Sequence, residues 1–180
     1  MKRTSYHPFA KFLHWTIVII IATQFLSAWL MPSFRHMTAP NSFTMIHLSA
    51  WGLLVIPFGL LLFFMRFFRP VAKVEGEMPS WMEKSATSMQ YALYVLLIIT
   101  PFSGWASVSM RHLPVDFFDL FYLPVLDIDY PSFMFTLGRM HSNIAYAIGI
   151  LALGHIAAAL YHHFILKDQV LNRMRPSRGV

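Results

Sequence analysis

The sequence contains no cysteine. That excludes disulfides, thiolate-held iron–sulfur clusters and covalent haem attachment through C-x-x-C-H. Redox chemistry, if present, must use a cofactor held by other ligands. Charge is also scarce. Asp, Glu, Lys and Arg together make up 12% of the 180 residues, against about 25% in an ordinary soluble domain. A chain this poor in charge and 57% hydrophobic has too little polar surface to cover a water-soluble globule.

The apolar residues fall into four long blocks, and about 20 consecutive apolar residues span a bilayer. The spans read as Phe12 to Met31, Thr44 to Phe64, Tyr91 to Val108, and Phe133 to about Ile165. Pro32 closes the first, and Arg66 to Pro70 closes the second. A polar connection, Lys73 to Lys84, leads to the third. A long connection, Arg111 to Ser132, carries Pro114, Pro124 and Pro131. Its segment Val115 to Tyr122 alternates Phe, Leu and Asp, which predicts a short amphipathic helix along the interface. Pro57 and Pro101 are expected to bend their helices. The apolar run after Lys2, Arg3 and Lys11 continues too far for a signal peptide and has no small-residue cleavage site. The expected architecture is an all-α membrane protein. It is one domain over residues 1–180, a bundle of four transmembrane helices.

The formal net charge of +6 is distributed as a topology signal. With four spans, one side holds Lys2, Arg3, Lys11, Arg66, Arg69, Lys73, Lys84, Lys167, Arg173, Arg175 and Arg178; the other holds Arg35, Arg111 and Arg139. The positive-inside rule then makes both termini cytoplasmic. The opposite connection holds Asp116, Asp119, Asp127 and Asp129. Membrane lipid is the expected surroundings, and nucleic acid is not an expected partner.

Ionisable side chains within spans are costly and mark function by default. Of nine histidines, four stand out. His14 lies near the cytoplasmic start of the first span and His47 near the outer start of the second. The fourth span carries His141 near its outer end and His155 deeper. Fourteen residues at about 100° each return to within about 40° of the same face, about 21 Å further along the helix. That suits two haems stacked across one bilayer. Depth pairs His47 with His141 on the outer side and His14 with His155 on the cytoplasmic side. Each pair can supply both axial nitrogens of a haem iron, an arrangement that favours electron transfer. Gly149, Gly154, Ala157 and Ala158 leave room for a macrocycle or a neighbouring helix. Arg66 and Arg139 stand at span ends, as candidates for haem propionates or as solvated topology markers.

His162 shares the ligand face of His155 and competes with it, but pairing His162 with His14 would separate the irons by about 31 Å. His155 is therefore preferred. His162, with Lys167 and Asp168 close by, is a candidate to bond a quinone carbonyl or relay its proton, or an ordinary interfacial residue. His7, His36, His112 and His163 read as surface residues.

These marks resemble the bacterial cytochrome b561 family of small four-helix di-haem membrane proteins, over nearly the whole chain. They are F-L-H-W at Phe12–Trp15, M-I-H-L at Met45–Leu48, M-R-F-F-R-P at Met65–Pro70, T-P-F-S-G at Thr100–Gly104 and R-M-H-S at Arg139–Ser142. Most specific is G-H-I-A-A-A-L-Y-H-H-F-I-L-K-D at Gly154–Asp168, followed by L-N-R-M. The resemblance implies two haem b groups with bis-histidine ligation and exchange of electrons with ubiquinone near the cytoplasmic side of a bacterial inner membrane. It further implies that the outer haem takes an electron from superoxide. On that reading His162 matches the family's quinone-side histidine. Two positions depart from the pattern. Where similar proteins carry a histidine one turn before the tyrosine matching Tyr94, this chain has Gln90, which can hydrogen-bond a quinone but cannot relay a proton. Steering superoxide asks for a positive outer funnel, whereas the outer connection carries four Asp.

The expectation is thus a superoxide:ubiquinone oxidoreductase working as a one-electron relay, with no separate catalytic side chain and no obligate protein partner evident. One alternative is a cytochrome b subunit relaying electrons between quinone and a partner dehydrogenase or hydrogenase. The other is a haem-free membrane scaffold or transporter.

Overall fold

The computed structural model describes residues 5–32, 41–49, 51–68, 79–118, 120–126 and 130–175. Lys2, Arg3, Arg35, His36, Arg69, Pro70, Lys73, Asp119, Asp127, Asp129 and Arg178 lie outside the described residues. The chain is mostly helical, and four helical stretches are long and apolar enough to cross a membrane. They are Pro8–Leu30, Ser42–Phe68, Ser80–Ser109 and Phe135–Leu166. A bilayer offers no water to unpaired backbone groups, so helices that satisfy their own are what these apolar blocks must form.

Helix α1 (Pro8–Leu30) opens with Pro8 in its first turn and with His7 as its cap, the ring Nδ1 accepting from the Phe9 N–H at 3.2 Å. The second span is not one helix. Helix α2 (Ser42–Leu48) is capped by Asn41, whose Oδ1 accepts from the Thr44 N–H and hydroxyl. It ends at Ser49, and a 3-10 turn (Gly52–Leu54) leads into α3 (Val55–Phe68). The break has a local cause. The Ser49 hydroxyl and N–H both turn back onto the Ile46 carbonyl, at 2.6 and 3.3 Å, and compete with the helical ladder. The continuous span expected from Thr44 to Phe64 is thus interrupted, a few residues before Pro57. Pro57 itself falls in the first turn of α3, where no N–H is missed.

Helix α4 (Ser80–Ser109) carries Pro101 inside it and starts well before Tyr91. Its polar first part is a helical extension beyond the apolar block. It closes in a Schellman turn. His112 takes the left-handed conformation (φ 55°), while Leu113 donates to the Val108 carbonyl and His112 to that of Ser109. Helix α5 (Pro131–Tyr161) is followed by a π turn over His162–Leu166 that ends at Lys167 in the left-handed region.

The segment Val115 to Tyr122 does not form the amphipathic helix expected for it. Two short strands, β1 (Asp116–Phe117) and β2 (Phe121–Tyr122), pair antiparallel with Asp116 opposite Tyr122 and Phe117 opposite Phe121. The Phe117 and Phe121 rings stack at 4.8 Å. Aromatic cross-strand pairing outweighs the helical pattern here, and Pro114 and Pro124 bar helical continuation on either side. Ser109 fastens the connection to α4: its hydroxyl donates to the Pro124 carbonyl and accepts from the Leu126 N–H.

Helix α4 packs against α5 and α3, and α1 packs against α2 and α3. The helices therefore follow an arc from α5 through α4 and α3 to α1. Helices α1 and α5 stand at its two ends and are not among the closely packed pairs. The buried core lies in the arc, where Ala10, Leu13, Ile17 and Leu62 cluster beneath Phe58, Met65, Tyr94 and Leu97. Leu13→Ala, at 1% exposure, is expected to cost about 2–5 kcal/mol and to lower the melting temperature in detergent. Ile19→Ala, at 59% exposure and facing lipid, is expected to leave it within a degree or two, roughly the effect of a neutral surface change.

Candidate cofactor site between α1, α2 and α5

The seam between the two ends of the arc holds the four span histidines. His47, in the last turn of α2, meets His141 of α5 with ring centres 6.0 Å apart and planes at 86°. His14 of α1 meets His155 of α5 at 6.3 Å and 62°. Because α5 is unbroken from Pro131 to Tyr161, its two histidines stay about 21 Å apart along one face. The His47/His141 pair lies toward the α1–α2 and α4–α5 connections (the loop face) and the His14/His155 pair toward the end where α1 begins (the termini face).

The separations can be tested against a shared metal ion. A metal–imidazole bond is about 2.0–2.1 Å, and a ring centre lies about 1.1 Å behind its ligating nitrogen, so two imidazoles on opposite sides of one iron have centres about 6 Å apart. Both pairs have that separation. Among the described residues, no group of three or more His, Cys, Asp or Glu side chains gathers to hold a bare ion. Isolated pairs suit a metal whose other ligands come from a macrocycle.

Hydrogen bonds on the loop face decide which nitrogen is available. His47 Nδ1 lies 3.1 Å from the main-chain carbonyl of Gln24, with the Ser27 hydroxyl at 3.4 Å. His141 Nδ1 lies 2.9 Å from the carbonyl of Thr100. A carbonyl can only accept, so each Nδ1 must be the protonated nitrogen. Each neutral ring then presents the bare lone pair of Nε2, the form that ligates a metal. Gly104 makes the second bond possible. It lies one turn beyond Thr100, and a Cβ there would sit 2.9 Å from His141 Cε1 and Nδ1. Any side chain would push the ring off the carbonyl.

The other sequence candidates are scattered around this seam. A Cβ added at Gly149 would meet the Phe25 ring of α1 at 3.5 Å and one at Gly154 the Met89 sulfur of α4 at 4.0 Å, while Ala157 and Ala158 are exposed. Arg66 lies in the last turn of α3, within electrostatic reach of Tyr94. Arg139 is exposed, two residues before His141. Gln90 is half-buried on α4, and its Oε1 is buried without a hydrogen-bond partner. His162 is not an open interfacial residue. It is 8% exposed, and its Nδ1 lies 2.5 Å from Asp168 Oδ2. His7 caps α1 and His112 closes α4. The carbonyl roles of Gln24 and Thr100 had no signal in the sequence, because main-chain oxygens are supplied by every residue type. Gly104 was visible as part of T-P-F-S-G, though its reason was not.

The family profile described as prokaryotic cytochrome b561 matches residues 5–177. The chain belongs to that family. Two Escherichia coli (strain K12) proteins are similar to it. Cytochrome b561 homolog 2 is 28% identical over 165 residues, 89% of this chain and 86% of its own length. Cytochrome b561 homolog 1 is 25% identical over 174 residues, 93% of this chain and 94% of its own. Membership makes this chain a multi-pass bacterial membrane cytochrome with a role in haem-based electron transfer. For such a cytochrome, Gly104→Val is expected to displace the His141 ring from the Thr100 carbonyl and lower the b-haem absorbance of the purified protein.

Proposed function

We propose that the chain carries single electrons across a bacterial inner membrane between two b-haem sites, one held by His47 and His141 and the other by His14 and His155. The observation that carries this is the pair of imidazole separations, 6.0 and 6.3 Å, at two depths of one helical face. Each haem, when bound, would supply a one-electron redox centre, one held by His47 and His141 and the other by His14 and His155. The residues do the rest. The Gln24 and Thr100 carbonyls hold the loop-face rings in the ligating tautomer, and α5 holds the two sites about 21 Å apart. Arg66 and Arg139, toward the termini face and the loop face respectively, are the candidates to pair with propionates.

The basic residues at the termini face put both termini in the cytoplasm by the positive-inside rule. Ubiquinone is the proposed acceptor there. Gln90 Oε1, buried and without a partner, would accept from a quinol hydroxyl. His162, with Nδ1 engaged by Asp168, retains Nε2 for a quinone oxygen. The proposed outer donor is superoxide. Two superoxide anions would give up one electron each and leave as dioxygen, while ubiquinone takes both electrons and two protons to become ubiquinol. The acidic outer connection favours a second reading, because it repels an anion. In that reading the chain is a cytochrome b subunit relaying electrons between quinone and a partner dehydrogenase or hydrogenase.

A reduced-minus-oxidised spectrum of the purified protein tests the haem, with a band expected near about 560 nm for b-type haem. A featureless spectrum would leave only a haem-free scaffold or transporter. His47→Ala and His141→Ala are each expected to remove the same haem, and His14→Ala and His155→Ala the other. Removal of different haems by the two members of a pair would end the pairing. Reduction of quinone by the isolated chain on adding superoxide supports the first reading; stoichiometric co-purification of a soluble redox subunit supports the second.

A further inference from the structure

Along the seam that holds the histidine pairs, α1 and α5 are not closely packed on each other. At the termini face something else joins them. After the π turn, Lys167 takes the left-handed conformation (φ 54°) and the chain reverses. Asp168 secures the reversal three times. Its N–H donates to the His162 carbonyl at 3.1 Å, its Oδ2 meets His162 Nδ1, and its Oδ1 accepts from the Val170 N–H at 2.9 Å. The following residues then reach the start of α1. The Ser5 hydroxyl and the Tyr6 N–H both donate to the Arg173 carbonyl, at 3.1 and 3.4 Å. The Trp15 indole N–H donates to the Met174 carbonyl at 3.0 Å. Trp15 lies beside His14, their rings edge to face at 5.5 Å.

We infer that residues 168–175 form a clasp that fixes the spacing of α1 and α5 at the termini face, with Asp168 and Trp15 as positioning residues for the His14/His155 pair. A continuous path runs from His155 along α5 to His162, through Asp168 and the clasp to Met174, and through Trp15 to His14. On the loop face the carbonyls of Gln24 and Thr100 orient the rings directly. On the termini face the clasp constrains the helices that carry them.

The inference rests on the haem reading of His14 and His155, so its test has one readout that needs no haem. The chain lacks cysteine, so spin labels can be placed at Phe12→Cys and Ile156→Cys, both at exposed positions. Pulsed EPR then reads the α1–α5 distance in the full-length protein. Asp168→Ala removes the carboxylate. Trp15→Phe removes only the indole N–H, keeps an aromatic ring beside His14, and serves if Asp168→Ala does not fold. Each variant is expected to broaden the label-distance distribution. Each should also weaken retention of one haem about tenfold, as loss of a supporting contact around a metal ligand does, and shift the midpoint potential of that haem alone. The haem removed by His47→Ala should remain. Unchanged label distances in both variants would overturn the clasp, whatever the haem content. A wild-type protein without haem but with broadened distances in the variants would instead overturn the functional reading and leave the clasp standing.

Discussion

Two hydrogen bonds to main-chain carbonyls govern the loop-face site. His47 leans on Gln24 of α1, and His141 leans on Thr100 of α4. Each bond consumes Nδ1 and frees Nε2, and each joins a ligand helix to a neighbour. An imidazole rotating freely in a gap between helices would present either nitrogen in many directions. Tied to a carbonyl, it presents one nitrogen in one direction. The absence of a side chain at Gly104 follows from that requirement.

The bundle closes less tightly between α1 and α5 than along the rest of the arc. Its apolar core lies in the arc α1–α3–α4–α5, and the ends of the arc meet only loosely. In water such an open seam would collapse. In a bilayer, lipid covers the outside of every helix, and little hydrophobic force acts between helices. A seam bridged by paired side chains is therefore tolerated in lipid where a soluble bundle would close it. The same condition explains why so many large apolar residues, such as Trp29, Ile150 and Leu153, stand exposed.

The two faces solve the same geometric problem differently. Near the connections, the helices are packed closely enough for carbonyls to reach the rings. Near the termini, a reversed segment held by Asp168 supplies the tie. His162, read from sequence as an interfacial residue or a quinone ligand, turns out to be buried with its Nδ1 against that carboxylate.

Much of this was legible in the residues alone. Four apolar blocks of spanning length, the missing cysteines, and His141 and His155 fourteen residues apart all follow from periodicity and bilayer thickness, which depend only on local sequence. The hairpin at Asp116–Tyr122 was not legible. Alternating Phe and Asp suits a helix face and a strand pair equally, and the flanking prolines with the fastening by Ser109 decided between them. Nor was the break at Ser49, since a serine in an apolar run more often stays helical. The chain by itself indicated which histidines could pair and at what depths. Only the tertiary structure decided which nitrogens they present and what holds the helices apart, because carbonyl positions and helix spacing are set by contacts between segments distant in sequence.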